Sequence, residues 1–301
     1  MNLTQFLYTV IYQKNINFIL RNFNYVIQGV LPAKIKLPPS GIITLKTDSG
    51  KIKMATNQTS YLTKVLFWYG YKEFEFSEIF ESLSKKMNVF LDIGANIGYY
   101  SLIASKTNTK IRVHAFEPAM GPKFYLKSNI KLNNFQKNII LHDVALSEEN
   151  GVIDFYEVES EKYTYITHNL SGEHNAGTKK TSRNFVKNSV NSTTLSAFIA
   201  QEKIATIDLI KIDTEGTEVH ILKSGKKMIS AHFPIVICET LFNTTENDLE
   251  LFFGNLGYEF YNHVPNGLMK VNTIKRSVDN GIRNCFFVHP SKKHQINEYI
   301  I

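Results

Sequence analysis

Residues 89–101 read Val89-Phe90-Leu91-Asp92-Ile93-Gly94-Ala95-Asn96-Ile97-Gly98-Tyr99-Tyr100-Ser101. An apolar run closes on a carboxylate and a glycine turn, and a helix opens at about Tyr99, which is the pattern of a buried strand feeding a helix. Gly94 permits a tight turn out of the strand, and Gly98 permits close approach of the helix. A dinucleotide fingerprint requires G-x-G-x-x-G, so that bare backbone can cradle a pyrophosphate. Here the spacing is G-x-x-x-G, with a side chain at Asn96 and a carboxylate, Asp92, just before the turn. That set repels a pyrophosphate and suits a ligand that carries a positive charge and an amino group.

The same pattern recurs downstream. Apolar runs at 112–117, 138–143, 207–213 and 234–239 end in acidic residues, so the strand ends present Asp92, Glu117, Asp143, Asp213 and Glu239. Helical segments over 99–105, 122–132, 218–223 and 246–256 separate them, with Gly225 as the expected C-cap of the third. A further strand is expected at 151–158, and two more at 258–261 and 284–288 close the sheet. Continuous apolar strands alternating with helices indicate an α/β fold with a mostly parallel sheet covered on both faces. Ligands bind outside the carboxyl ends of such strands. Five carboxylates on one edge are costly to bury unless a ligand meets them. Glu117 is placed to accept ribose hydroxyls. Residues 160–190, polar and carrying Gly172, Gly177 and the cluster Lys179, Lys180, Arg183 and Lys187, are expected to form a long loop, either a lid or an insertion.

Residues 1–75 differ in texture. Met1 to Leu31 reads as one or two amphipathic helices, which dock on the protein's own core or meet a membrane surface or a partner subunit. A breaker cluster, Leu37–Gly41, precedes two short strands around Asp48-Ser49-Gly50, a hairpin turn. Trp68, Tyr69 and Tyr71 read as a packing cluster or as a platform for a sugar ring. Residues 74–83 have helical spacing. Lysine and arginine number 34 against 27 acids, a net charge of +7, but the lysines are scattered and no nucleic-acid partner is expected. No run approaches the roughly 18–20 apolar residues of a membrane span. Cys238 and Cys285 lie in apolar runs, as buried thiols of a reducing, cytoplasmic compartment would.

FLDIGANIGYYS (90–101), AFEP (115–118), DVALS (143–147), STTLSAFI (192–199) and IKIDTEGTEVHILKSG (210–225) together resemble the FkbM family of methyltransferases. The resemblance runs over about residues 85–260, and DIGANIG and IKIDTEG are its most specific pieces. QTSYLTKVLFWYGYKEFE (58–75) is similar to members with an N-terminal extension. The resemblance implies a Rossmann-like class I methyltransferase fold with a seven-stranded sheet. It also implies S-adenosylmethionine as cofactor and O-methylation of a hydroxyl, often on a sugar, glycan or related natural product. Carried over, Asp92, Gly94, Asn96 and Gly98 form the cofactor loop, Glu117 holds the ribose, and Asp143 and Val144 lie near the adenine. The expected division is a cap over 1–75, the methyltransferase domain over 76–290 and a tail over 291–301.

Lys211-Ile212-Asp213-Thr214-Glu215-Gly216-Thr217-Glu218 falls where a strand meets its helix, facing the reacting centre. Asp213 or Glu215 is a candidate general base for an acceptor hydroxyl, and Glu239 is a second. The three are alternatively a site for magnesium or manganese, which would acidify the hydroxyl. Glu218 reads as an acid favouring a helix N-terminus, and His142 and His220 as structural residues. Two rival functions are a nicotinamide-dependent oxidoreductase, which the glycine spacing opposes, and a binding module without catalysis.

Overall fold

The computed structural model describes residues 3–30, 35–160, 162–170 and 185–301. The chain opens with two helices, α1 (Leu3–Ile11) and α2 (Lys14–Ile27), and a hairpin of β1 (Gly41–Thr47) and β2 (Gly50–Thr56). Thr47 faces Gly50 across the hairpin. Alternation decides which face is buried: Ile43, Leu45, Ile52 and Met54 point inward, none more than 4% exposed. Helices α3 (Tyr61–Tyr69) and α4 (Ser77–Ser84) follow. Ser60 caps α3 by accepting from the Thr63 amide. Trp68 donates to the Leu37 carbonyl at 3.1 Å and stacks on Tyr25, while the Tyr71 hydroxyl accepts from the Asp48 amide at 3.1 Å.

The alternating part runs β3 (Val89–Ile93), α5 (Tyr99–Thr107), β4 (Arg112–Phe116), α6 (Met120–Leu132), β5 (Ile139–His142), β6 (Ala145–Ser147), β7 (Gly151–Val158), β8 (Phe185–Thr194), α7 (Leu195–Gln201) and β9 (Leu209–Ile212). It continues through α8 (Glu218–Ser224), α9 (Lys226–His232), β10 (Ile235–Glu239), α10 (Glu246–Gly254), β11 (Glu259–Val264), β12 (Gly267–Val271) and β13 (Asn284–Val288). The main sheet has the order β12-β11-β13-β10-β9-β3-β4-β5. Strands β5, β4, β3, β9 and β10 are parallel, whereas β13 runs antiparallel to both β10 and β11. Successive residues of β3 enter different cores: Phe90 packs with Phe80, Leu102 and Val113, and Leu91 and Ile93 pack with Phe198, Ile210 and Leu222. That is the physical content of helices on both faces.

Eight strands form this sheet rather than the expected seven, because β12 adds antiparallel to β11 at one edge. A second sheet, β6-β8-β7, stands beside it. The expected loop over 160–190 is partly a strand: Phe185–Val190 belong to β8, held by β7, and Lys187 pairs with Asp154 at 2.8 Å. Gly172, Gly177, Lys179, Lys180 and Arg183 lie outside the described residues. Gly225 does end α8, but at φ −104° rather than in the left-handed region. Its lack of a side chain matters for packing, since a Cβ there would meet Leu195 Cδ2 at 2.4 Å. Cys238 and Cys285, both buried free thiols, face each other across β10 and β13. Among the described residues no helix is long and apolar enough to cross a membrane.

Candidate active site

The carboxyl ends of β3, β4 and β9 open into a cavity of about 270 Å³, closed on its far side by β6 and β7. Its floor is the glycine turn. Gly94 sits at φ +74° and Gly98 at +87°, and Asn96 between them at +51°, a left-handed position that asparagine tolerates better than most residues. A Cβ on Gly94 would meet the Asp213 carbonyl oxygen at 2.0 Å, and one on Gly98 would meet Leu126 at 2.3 Å. Gly94 is therefore required by the strand beside it, and Gly98 by the helix above.

Asp92 is nearly fully buried beneath this turn and does not line the cavity. Its Oδ2 accepts from the Ser101 amide at 3.1 Å and hydroxyl at 2.6 Å, which ties strand to helix. Burial pushes its carboxyl up, against Lys211 and Ser101. Glu117 does line the cavity. Asn96 N donates to one carboxylate oxygen at 2.8 Å and Ala119 N to the other at 2.9 Å, so its orientation is set by backbone. Burial, opposed by those two bonds, raises its carboxyl to about 7. Asp143 and Val144 do not line the cavity. Asp143 turns outward to Lys123, with its side chain 74% exposed, and Val144 packs against the core that holds Leu91, Phe116 and Phe198. The wall at that point is Ala145, Leu146 and Ser147 with Ile153, Phe155 and Tyr156.

Beyond β9 the turn at 214–217 carries the reacting candidates. Glu218 Oε1 accepts from Thr214 N, Thr214 Oγ1 and Gly216 N, so its carboxylate clamps the turn. Glu215, at φ +56°, and Asp213 reach the cavity. Glu239 stands behind them, and one carboxylate oxygen from each of Asp213, Glu215 and Glu239 lies within 4.8 Å of the others. Burial, then the charges of Asp213, Glu215 and Glu218, push the Glu239 carboxyl up to about 9. The neighbouring negative charges oppose ionisation of Glu239 and favour its protonated form.

Lys211, missed in sequence, sits between these groups. It donates to Asp213 at 3.2 Å and to the Gly94 carbonyl at 3.3 Å. Burial alone would push its ammonium down, but Asp213, Asp92 and Glu75 outweigh it and push it up. Glu75 was also missed. It lies 17 residues before Asp92 in a stretch without strand signal, yet its carboxylate takes the Tyr100 hydroxyl at 2.6 Å at the cavity wall. Trp68, Tyr69 and Tyr71 do not reach the cavity; its aromatic walls are Phe74, Tyr99, Tyr100, Phe116, Phe155 and Tyr156. His142 bonds His114 at 2.9 Å between strands, and His220 bonds Glu148 at the surface.

Five acids, Glu75, Glu117, Asp154, Asp213 and Glu215, line the cavity, against Lys211 as the one lysine or arginine among the described residues there. The surroundings thus favour a cationic guest and oppose a pyrophosphate.

Residues 92–260 match the methyltransferase FkbM domain. A curated relative, 31-O-demethyl-FK506 methyltransferase FkbM of Streptomyces tacrolimicus, is 30% identical over 155 residues, which cover 45% of this chain and 58% of the relative. This chain therefore spans less than two thirds of that relative's length. Among solved structures, methyltransferase FkbM from Methylobacillus flagellatus KT overlaps with a TM-score of 0.44 at 16% identity, over 68% of this chain and 44% of the other. The METTL16 methyltransferase domain overlaps at 0.42 and 12% identity, over 70% and 63%. Structural overlaps of that size do not decide a fold; the sheet order does.

Proposed function

The chain belongs to the methyltransferase FkbM domain family, and on that premise we propose that it is an S-adenosylmethionine-dependent O-methyltransferase for a hydroxyl of a sugar, glycan or related natural product. The observation that carries the reading is the acidic cavity at the strand ends of a chain whose net charge is +7. S-adenosylmethionine supplies, when bound, an electrophilic methyl on a cationic sulfur. Glu117, with both oxygens pinned by backbone amides, would accept the ribose hydroxyls. Leu146, Ile153 and Phe155 offer apolar contact for a purine. Asp92, Gly94, Asn96 and Gly98 shape the loop beneath.

Asp213 is the preferred base. It is held at one oxygen by Lys211, while Glu239 keeps its proton near neutral pH and adds no negative charge. Removing the acceptor's proton as the methyl arrives, together with alignment in a walled cavity, accounts for the catalysis. The name of the relative from Streptomyces tacrolimicus, which refers to a demethylated oxygen, supports transfer to oxygen here.

A second reading rests on the convergence of Asp213, Glu215 and Glu239. Three oxygen donors suit magnesium or manganese, which would orient and acidify the acceptor hydroxyl. Two experiments test these readings. S-adenosylhomocysteine at about 100 times its Kd should stabilise the fold by roughly 2.7 kcal/mol, and NAD should not. Stabilisation by NAD alone overturns the proposal. Turnover that survives exhaustive chelation excludes the metal, whereas loss restored by magnesium or manganese displaces Asp213 as sole base.

A further inference from the structure

Helix α2 is mounted with its polar side inward. Asn17, Arg21 and Asn24 are its buried residues. Arg21 donates to the Ser40 and Ile42 carbonyls at 2.6 Å each. Asn17 accepts from the Ser40 amide at 2.7 Å, and Asn24 accepts from the Leu37 amide at 2.9 Å and donates to the Ile35 carbonyl at 3.0 Å. These side chains satisfy the backbone leading into β1, which has no other partner strand on that side. The opposite face carries Ile16, Ile19, Phe23 and Val26 at helical spacing, exposed by 38%, 67%, 62% and 80%.

Helix α1 repeats the inversion. It buries no residue and touches the body through Gln5, which donates to the Lys162 carbonyl, and through the rings of Tyr8 and Tyr12 against Tyr163. Leu3, Phe6, Leu7 and Val10 face solvent, exposed by 74%, 51%, 48% and 38%. An amphipathic helix on a soluble body ordinarily buries its apolar stripe. Two successive helices that present it outward mark a surface built for another apolar phase.

The charges select the occupant. Residues 1–47 contain Lys14, Arg21, Lys34, Lys36 and Lys46 and no acidic residue. Lys46 also faces Lys51 directly across the hairpin. Arg21 is turned inward, which leaves the lysines; a second copy docking by this arm would set them against themselves without a carboxylate of residues 1–47 to meet them. An anionic bilayer supplies both complements, acyl chains for the stripe and headgroups for the cations. We propose that α1 and α2 form a docking arm that lies in the interface of an anionic lipid membrane.

The test is co-flotation of the full chain with phosphatidylcholine–phosphatidylglycerol vesicles, beside phosphatidylcholine alone. The mixed vesicles should bind the protein and the neutral ones should bind it much less. Ile19→Glu and Phe23→Glu should each weaken partitioning by about tenfold or more, the worth of a buried large apolar side chain. Lys14→Glu and Lys36→Glu should each weaken it roughly fivefold. Ile19 and Phe23 point outward from α2, Lys14 is exposed at its first turn, and Lys36 is half-buried over the Tyr69 ring; an unchanged unfolding midpoint verifies that the variants fold. Failure to bind either vesicle, or equal binding to both, overturns the proposal. So does a dimer in light scattering that Phe23→Glu dissolves, since that assigns the face to a second copy.

Discussion

The cavity and the N-terminal arm carry charge of opposite sign. In the cavity, Glu75, Glu117, Asp154, Asp213 and Glu215 line the walls beside Lys211; residues 1–47 contain five cations and no acid. A net charge of +7 therefore conceals two regions of opposite sign. The two regions also invert the usual rule for burial. Carboxylates gather at one cavity, Glu117 and Asp213 from the strand ends of the parallel sheet, and apolar side chains are exposed on α1 and α2. Enclosed charge and exposed apolar area both cost free energy in the isolated protein. On the two proposals above, a cationic cofactor would relieve the first cost and a lipid surface the second.

The sharpest break in this comparison comes from Asp213. Asp213→Asn keeps the shape and removes the base, so turnover of an acceptor should fall by about 10²–10⁴-fold. Affinity for S-adenosylhomocysteine, read by calorimetry, should change little. A variant with full turnover would take Asp213 out of the reaction and leave the enclosed acids as a charge trap for the cofactor alone.

Glu117 gives the next largest effect. Glu117→Gln should weaken S-adenosylhomocysteine binding by about 1.5–3 kcal/mol, the worth of charged hydrogen bonds. It should also flatten the pH dependence. The carboxyl is raised from 4.5 to about 7, and only its ionised form accepts at both oxygens. Affinity in the native protein should then rise with pH and level above about 7, approaching tenfold per unit on the acid side. The ligand-free fold has the opposite slope. A carboxyl whose pKa is raised on folding loses stability as pH climbs from 4.5 to about 7, and nothing further above that. Affinity that is flat with pH in the native protein would remove the ionised Glu117 from the ribose contact.

The smallest effect on the cavity should come from the arm. Arg21→Met keeps the stem but strips donors from the Ser40 and Ile42 carbonyls, at about 1–3 kcal/mol for each group left unsatisfied. Protease should then cut residues 12–40 faster, while S-adenosylhomocysteine affinity stays as it was. Loss of cofactor binding in this variant would show that arm and cavity are one cooperative unit.

How far each region could be read follows from where its determinants lie. Val89–Ile93, Leu209–Ile212 and Ile235–Glu239 are apolar on both faces, and a strand buried on both faces needs no partner's identity to be recognised. Strand β8 is polar, and its Phe185–Thr194 is held extended by pairing with β7, a contact invisible in the local pattern. Glu117 and Asp213 were legible because each ends a strand, and strand ends in such a sheet share one edge. Asp143 also ends a strand, yet it turns to Lys123. Direction at a strand end depends on the neighbouring helix, in this case the α6 residue Lys123, which competes for the carboxylate. Lys211 and Glu75 were missed because one hides inside an apolar run and the other lies outside the strand–helix repeat.

By itself, then, the order of apolar runs, glycines and acids determined an α/β sheet, the edge where its acids gather and the glycine turn after β3, because these depend on periodicity and on side chains near in sequence. The tertiary structure alone decided the rest. It brought Glu75 to Tyr100, set Lys211 between Asp213 and Gly94, gathered Glu239 with Asp213 and Glu215, and turned the polar side of α2 inward. Periodicity states that a helix has two faces. Which one meets the protein is settled by the backbone groups it must satisfy, and those of residues 35–42 accept Asn17, Arg21 and Asn24, leaving the apolar face of α2 to the outside.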